Sequence, residues 1–103
     1  MSIVTEYMDI SVLSGRPTEC EHHLIMGNSL RKLSDEDGLV IPLTHEEHNM
    51  SAESIHMSRW GCHLSRIIGQ LAWEKEFYRR LRHDAGIDPA RDAFRKRYGI
   101  SYL

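Results

Sequence analysis

The chain has 103 residues, 41% hydrophobic and 27% charged, with a net charge of −2. That length and composition fit one soluble domain over 1–103 with its own core. No stretch approaches the ~18 apolar residues a membrane span needs. The N-terminus MSIVTEYMDIS has early acids and no apolar run of the kind a signal peptide carries, so a cytoplasmic location is the default expectation. The net charge does not advertise a nucleic-acid binder, but its distribution is uneven. Residues 74–103 hold eight Lys/Arg against five Asp/Glu, and residues 1–73 hold five against ten. A solvated surface accounts for that pattern as readily as a binding face does. Cys20 and Cys62, the only cysteines, are expected to be reduced.

Ser14-Gly15-Arg16-Pro17 reads as a turn. Cys20-Glu21-His22-His23-Leu24-Ile25 reads as a short strand, and Gly27-Asn28-Ser29 opens what reads as a polar loop running to Asp37-Gly38. Leu39-Val40-Ile41-Pro42-Leu43 follows a turn-forming Asp-Gly and predicts a second strand. Pro42 has no amide hydrogen, which confines it to an edge or a strand end. Thr44 to Ser54 is polar and rich in helix formers, so a short helix is expected from about Thr44. Over 58–83, Trp60, Leu64, Ile67, Ile68, Leu71, Tyr78 and Leu81 recur at helical spacing, with Ser58 as N-cap and Gly86 as stop. Asp88-Pro89 predicts the start of a last helix, cap then proline. Ala90, Phe94 and Tyr98 form its apolar edge and Gly99 ends it. The expected fold is α+β: a small β-hairpin and helix, then a long helix and a C-terminal helix, with the helices supplying most of the core.

Five histidines, His22, His23, His45, His48 and His56, fall within 35 positions. Neutral imidazole is the commonest transition-metal ligand. Paired histidines in a strand point to opposite faces, so His22 and His23 reach one ion only across a twist or bulge. His45 and His48 share a helix face, and His56 needs a chain bend to join them. No HExxH or CxxC is present, and partly exposed polar histidines are the plainer reading of these spacings taken alone.

The order of these features resembles the HNH nuclease family, and its small phage-encoded members most. The residues that carry the resemblance are Cys20-Glu21-His22-His23-Leu24-Ile25, Gly27, Arg31-Lys32, Gly38-Leu39, Ile41-Pro42-Leu43, His48 and Ile55-His56. The tail Arg97-Tyr98-Gly99-Ile100-Ser101-Tyr102-Leu103 is similar to theirs, as is the long helix before it. The resemblance implies a ββα-metal unit holding one divalent ion (Mg, Mn, Ni or Zn) and hydrolysing DNA phosphodiester bonds in a host cytoplasm. It implies His23 as general base and His22 and His48 as metal ligands. It makes His56 a further metal candidate and assigns no role to His45. Arg31 and Lys32 are the candidate phosphate contacts, with the run Arg79, Arg80 and Arg82 as a second set.

One departure is specific. Where many members carry two Cys-x-x-Cys pairs around a structural zinc, this chain has Ser11 and Ser14, then Thr44 and Glu47. A Cys₄ site is therefore not available and no structural zinc is expected. Core packing has to replace its folding contribution, and Trp60, Trp73 and Phe77 are the expected substitutes, helped by an oligomer interface if there is one. Three functions stay open: an active nuclease, a catalytically idle HNH-like module that still binds metal, and a module that binds a protein partner.

Overall fold

The computed structural model of the chain, described over residues 2–50, 55, 58–81 and 87–103, is α+β. Its sheet has two antiparallel strands, β1 (Cys20–His23) and β2 (Val40–Leu43), with His22 opposite Ile41 and Glu21 opposite Pro42. Both form where the apolar runs predict them. Pro42 is tolerated because β2 has one strand neighbour among the described residues. The far edge of β2 is covered by the N-terminal segment: Ser2 Oγ donates to the Val40 carbonyl at 2.6 Å and the Val12 amide to the Pro42 carbonyl at 3.1 Å. β2 is thereby buried along its whole length.

The segment between the strands, expected as a polar loop, is mostly helix: α1 spans Asn28–Glu36. Leu30, Leu33 and Ser34 fall at i, i+3 and i+4 and form a narrow stripe against the core. Ser34 donates to the Leu39 carbonyl at 2.9 Å and accepts from the Ile25 amide at 3.3 Å. Asp37-Gly38, which reads as a turn, is the helix stop, with Gly38 at φ 73° supplying the left-handed residue. Two leucines in nine residues are too few to stand out against Asn28, Ser29, Arg31, Lys32, Asp35 and Glu36.

A single π turn, Glu46–Met50, occupies the segment where a short helix was expected. α2 spans Arg59–Leu81 and begins as predicted, with Ser58 Oγ accepting from the Gly61 amide at 3.0 Å. Its expected end at residue 83 and the stop at Gly86 lie outside the described residues. α3 spans Ile87–Tyr98, so it starts before the expected cap at Asp88 and takes Pro89 into its first turn. Gly99 closes it at φ 87°, its amide bonded to the Arg95 carbonyl at 2.7 Å.

Four members of the apolar row on α2 do not face the core. Trp60, Leu64, Ile68 and Leu71 are 68%, 37%, 43% and 51% exposed. The buried residues of α2 are Ser65 and Gly69, against the strand unit, and Gln70 and Glu74, toward α3 and the C-terminal segment. The reason is a close approach at Gly69, where an added Cβ would meet Ile25 Cδ1 at 2.7 Å and Leu24 Cβ at 3.0 Å. A leucine on that face would hold the helix away. The buried polar groups there are satisfied: Gln70 donates to Glu74 at 2.7 Å and accepts from the Tyr102 amide at 2.7 Å, and Arg91 reaches Glu74 at 3.4 Å. The core is accordingly built from the strand unit and α3, through Leu24, Ile25, Leu39, Ile41, Leu43, Phe94 and Tyr98. The helices do not supply most of it, contrary to expectation.

Asp37 fastens the three helices together. It accepts from Trp73 Nε1 at 3.0 Å, from Arg97 at 2.6 and 2.7 Å, and from the Tyr98 hydroxyl at 2.7 Å. Burial, then the bond to Asp37, pushes the Tyr98 hydroxyl well above the ordinary tyrosine range. Trp73 stacks on Phe77 and meets Phe94 edge-on, each at 5.6 Å between ring centres. Trp73 and Phe77 therefore pack as expected, whereas Trp60 does not. Among the described residues no helix is long and apolar enough to cross a membrane.

Candidate metal centre

His22 and His48 come from separate elements, β1 and the π turn, and their rings meet edge-on. The ring centres are 5.1 Å apart at an interplanar angle of 66°. Two imidazoles sharing one ion through bonds of ~2.0–2.1 Å at a tetrahedral angle have centres ~5 Å apart, and the spacing of this pair is of that size. His22 is fully buried. The close seat of α2 at Gly69 puts Ser65, one turn earlier, against it: His22 Nε2 and Ser65 Oγ are 2.7 Å apart. His48 is held by the turn itself, its amide bonded to the Thr44 carbonyl at 3.1 Å. Among the described residues no group of three or more His, Cys, Asp and Glu side chains is arranged to hold a metal. His56, the further candidate, lies outside the described residues. The described part of the chain thus brings two imidazoles together, fewer than the three protein ligands usual in a catalytic zinc site.

His23 is not brought to this pair. It follows strand alternation to other partners, with its Nε2 3.2 Å from Asp35 Oδ1 on α1. Its ring is partly buried, while Asp35 is exposed. A carboxylate accepting the Nε2 proton leaves Nδ1 as the basic atom and steadies the ring, the arrangement a general base uses. Arg31 lies one turn before Asp35 on the same face of α1, and both Arg31 and Lys32 are exposed. His45 is exposed, as read from the sequence.

The positions matched to absent zinc ligands do converge. Glu47 accepts from the Ser11 hydroxyl and from the Thr44 amide at 2.9 Å, and its own amide bonds Thr44 Oγ1 at 3.3 Å. Thr44 and Glu47 form a capping box at the start of the π turn. Ser14 bonds Ser11 Oγ through its amide at 3.3 Å. Burial alone would raise the Glu47 carboxyl, but the hydrogen bonds from Ser11, the Thr44 backbone, Ser14 and the Thr44 side chain outweigh it and hold the pKa at about 2. This knot anchors the turn that carries His48.

The basic run on α2 is already committed. Arg79 and Arg80 both bond Glu76, Arg80 at 3.2 Å. Arg82 lies outside the described residues. Arg59 and Arg66, near the His22 end of α2, make no ion pair among the described residues, although Arg66 stands 5.9 Å from the Tyr102 ring centre. Sequence reasoning missed Asp35, Ser65, Arg59 and Arg66. Asp35 was hidden in an apparent loop, and the other three are ordinary helix-surface types whose facing depends on how α2 packs. Family models, curated proteins and solved structures yield no match to this chain.

Proposed function

We propose that this chain is a divalent-metal-dependent endonuclease of the HNH type that hydrolyses DNA phosphodiester bonds. The observation that supports it most is the His22–His48 ring pair, two residues assigned as ligands on the resemblance and found 5.1 Å apart. A bound divalent ion would supply Lewis-acid stabilisation of charge developing on the phosphate and the leaving 3′-oxygen. His23 would take the proton from the attacking water at Nδ1 while Asp35 holds its Nε2–H and stabilises the imidazolium. Arg31 and Lys32 would hold flanking phosphates. Strand alternation separates base from ligands, so the reading requires the scissile phosphate to straddle the end of β1, where the chain bends at Leu24 and Ile25. The test is cleavage of plasmid DNA with Mg²⁺, Mn²⁺, Ni²⁺ or EDTA, wild type against His23→Ala. Cleavage by wild type alone, lost in EDTA, is expected; no cleavage with any ion refutes the reading.

A second reading, a catalytically idle module that binds a protein partner, is favoured by the exposed row Trp60, Leu64, Ile68 and Leu71. Contiguous exposed apolar side chains mark interaction surfaces, and an inactive but folded protein would select it.

A further inference from the structure

We infer that Ser65 is a positioning residue that fixes the tautomer of His22 and makes Nδ1 its metal-facing nitrogen. The inference rests on the reading of His22 as a ligand, and deepens it. Ser65 Oγ lies 2.7 Å from the Leu24 carbonyl and 2.7 Å from His22 Nε2. A carbonyl can only accept, so the single hydroxyl proton goes to Leu24. Ser65 must then accept from His22, and Nε2 carries the proton. In the neutral ring the lone pair is left on Nδ1. Both side chains are buried, Ser65 at 3% exposure, so water does not offer a competing partner.

A ligand histidine usually donates its other N–H to a neighbouring acceptor, which sets ring orientation and tautomer. Here a hydroxyl does that, kept in the accepting role by a backbone carbonyl. Its placement follows from the helix: Ser65 and Gly69 share a face, and the Gly69 contact seats the serine at hydrogen-bond distance.

The experiment is ¹⁵N correlation spectroscopy of the imidazoles in ¹⁵N-histidine-labelled protein, first without metal and then with Zn²⁺. The expected result for metal-free wild type is a His22 proton on Nε2, with the zinc-induced shift falling on Nδ1. Ser65→Ala should let Nδ1–H appear and lower zinc affinity by about 10–100-fold, measured by calorimetry, and Ser65→Thr should restore both. A proton on Nδ1 in wild type overturns the proposal and leaves the nuclease reading standing. So does Ser65→Ala binding zinc as tightly as wild type while folded. If wild type shows Nε2–H but binds no zinc at His22, the ligand role falls together with the nuclease reading.

Discussion

Replacing Glu47 with glutamine keeps shape and removes charge, and the knot around it sets the size of the effect. In the folded protein the carboxyl is held at about 2 against an ordinary 4.5, because the bonds from Ser11, Ser14 and Thr44 outweigh the cost of burial. At 1.36 kcal/mol per pKa unit, the ionised form is favoured by about 3 kcal/mol. A depressed carboxyl contributes stability that is complete above the unfolded pKa and is lost as pH falls through the folded one. The contribution should therefore be full above about pH 4.5 and fade toward pH 2. Arg16 adds little, since its contact with Glu47 is long, at 3.9 Å, and the arginine is largely exposed. Urea unfolding of wild type and Glu47→Gln at a series of pH values measures this. The gap between them is expected to be about 3 kcal/mol at pH 7 and to close as the wild-type carboxyl protonates. A gap that stays constant from pH 7 to pH 2, or a variant as stable as wild type, would refute the reasoning.

Gly69→Ala should destabilise by about 1–3 kcal/mol in thermal melts, because the new methyl meets Ile25 and Leu24 in a packed contact. Asp37→Ala should cost about 2–3 kcal/mol and Tyr98→Phe about 1 kcal/mol, since the first leaves several donors without an acceptor and the second removes one hydrogen bond. Trp60→Ala should change stability by less than about 0.5 kcal/mol, as its side chain is exposed; a larger loss would mean the apolar face is covered in solution. His23→Ala should lower DNA cleavage by about 10²–10⁴-fold with Mn²⁺ affinity retained. His48→Ala should weaken both, with partial rescue by added metal; calorimetry beside the cleavage assay distinguishes the two roles.

Both strands and the two long helices were legible because their apolar runs, the Ser58 cap of α2 and the Gly99 stop of α3 are local signals. α1 was not, because two leucines carry its whole apolar stripe and the cap residues Asp37 and Gly38 serve loops equally well. The facing of α2 was read backwards. A row of large apolar residues is ordinarily the buried side, but here the contact is set by Gly69, and periodicity carries no information about how near a backbone must come. At the candidate site, the resemblance assigned His22 and His48 to one ion, and their ring centres lie 5.1 Å apart; of the positions matched to the absent zinc ligands, Ser11, Thr44 and Glu47 are hydrogen-bonded together. Asp35 and Ser65 were out of reach, since each becomes meaningful only once a helix is laid against β1.

The last turn of α1 has two attachments of very different reach. Asp35 holds His23, twelve positions back, while Asp37 holds Arg97 and Tyr98 across 60 and 61 residues. Closing loops of that length is entropically costly and slow compared with pairing neighbouring segments. The strand pair and the Ser34 bonds that seat α1 can form early, whereas the bonds of Asp37 to Arg97 and Tyr98 form only when α3 docks. Mutations at Asp37 should therefore leave the folding rate nearly unchanged and act on unfolding. The bonds of Asp37 to α3 would then be among the last contacts of the fold to form, set by a helix far from it in the chain.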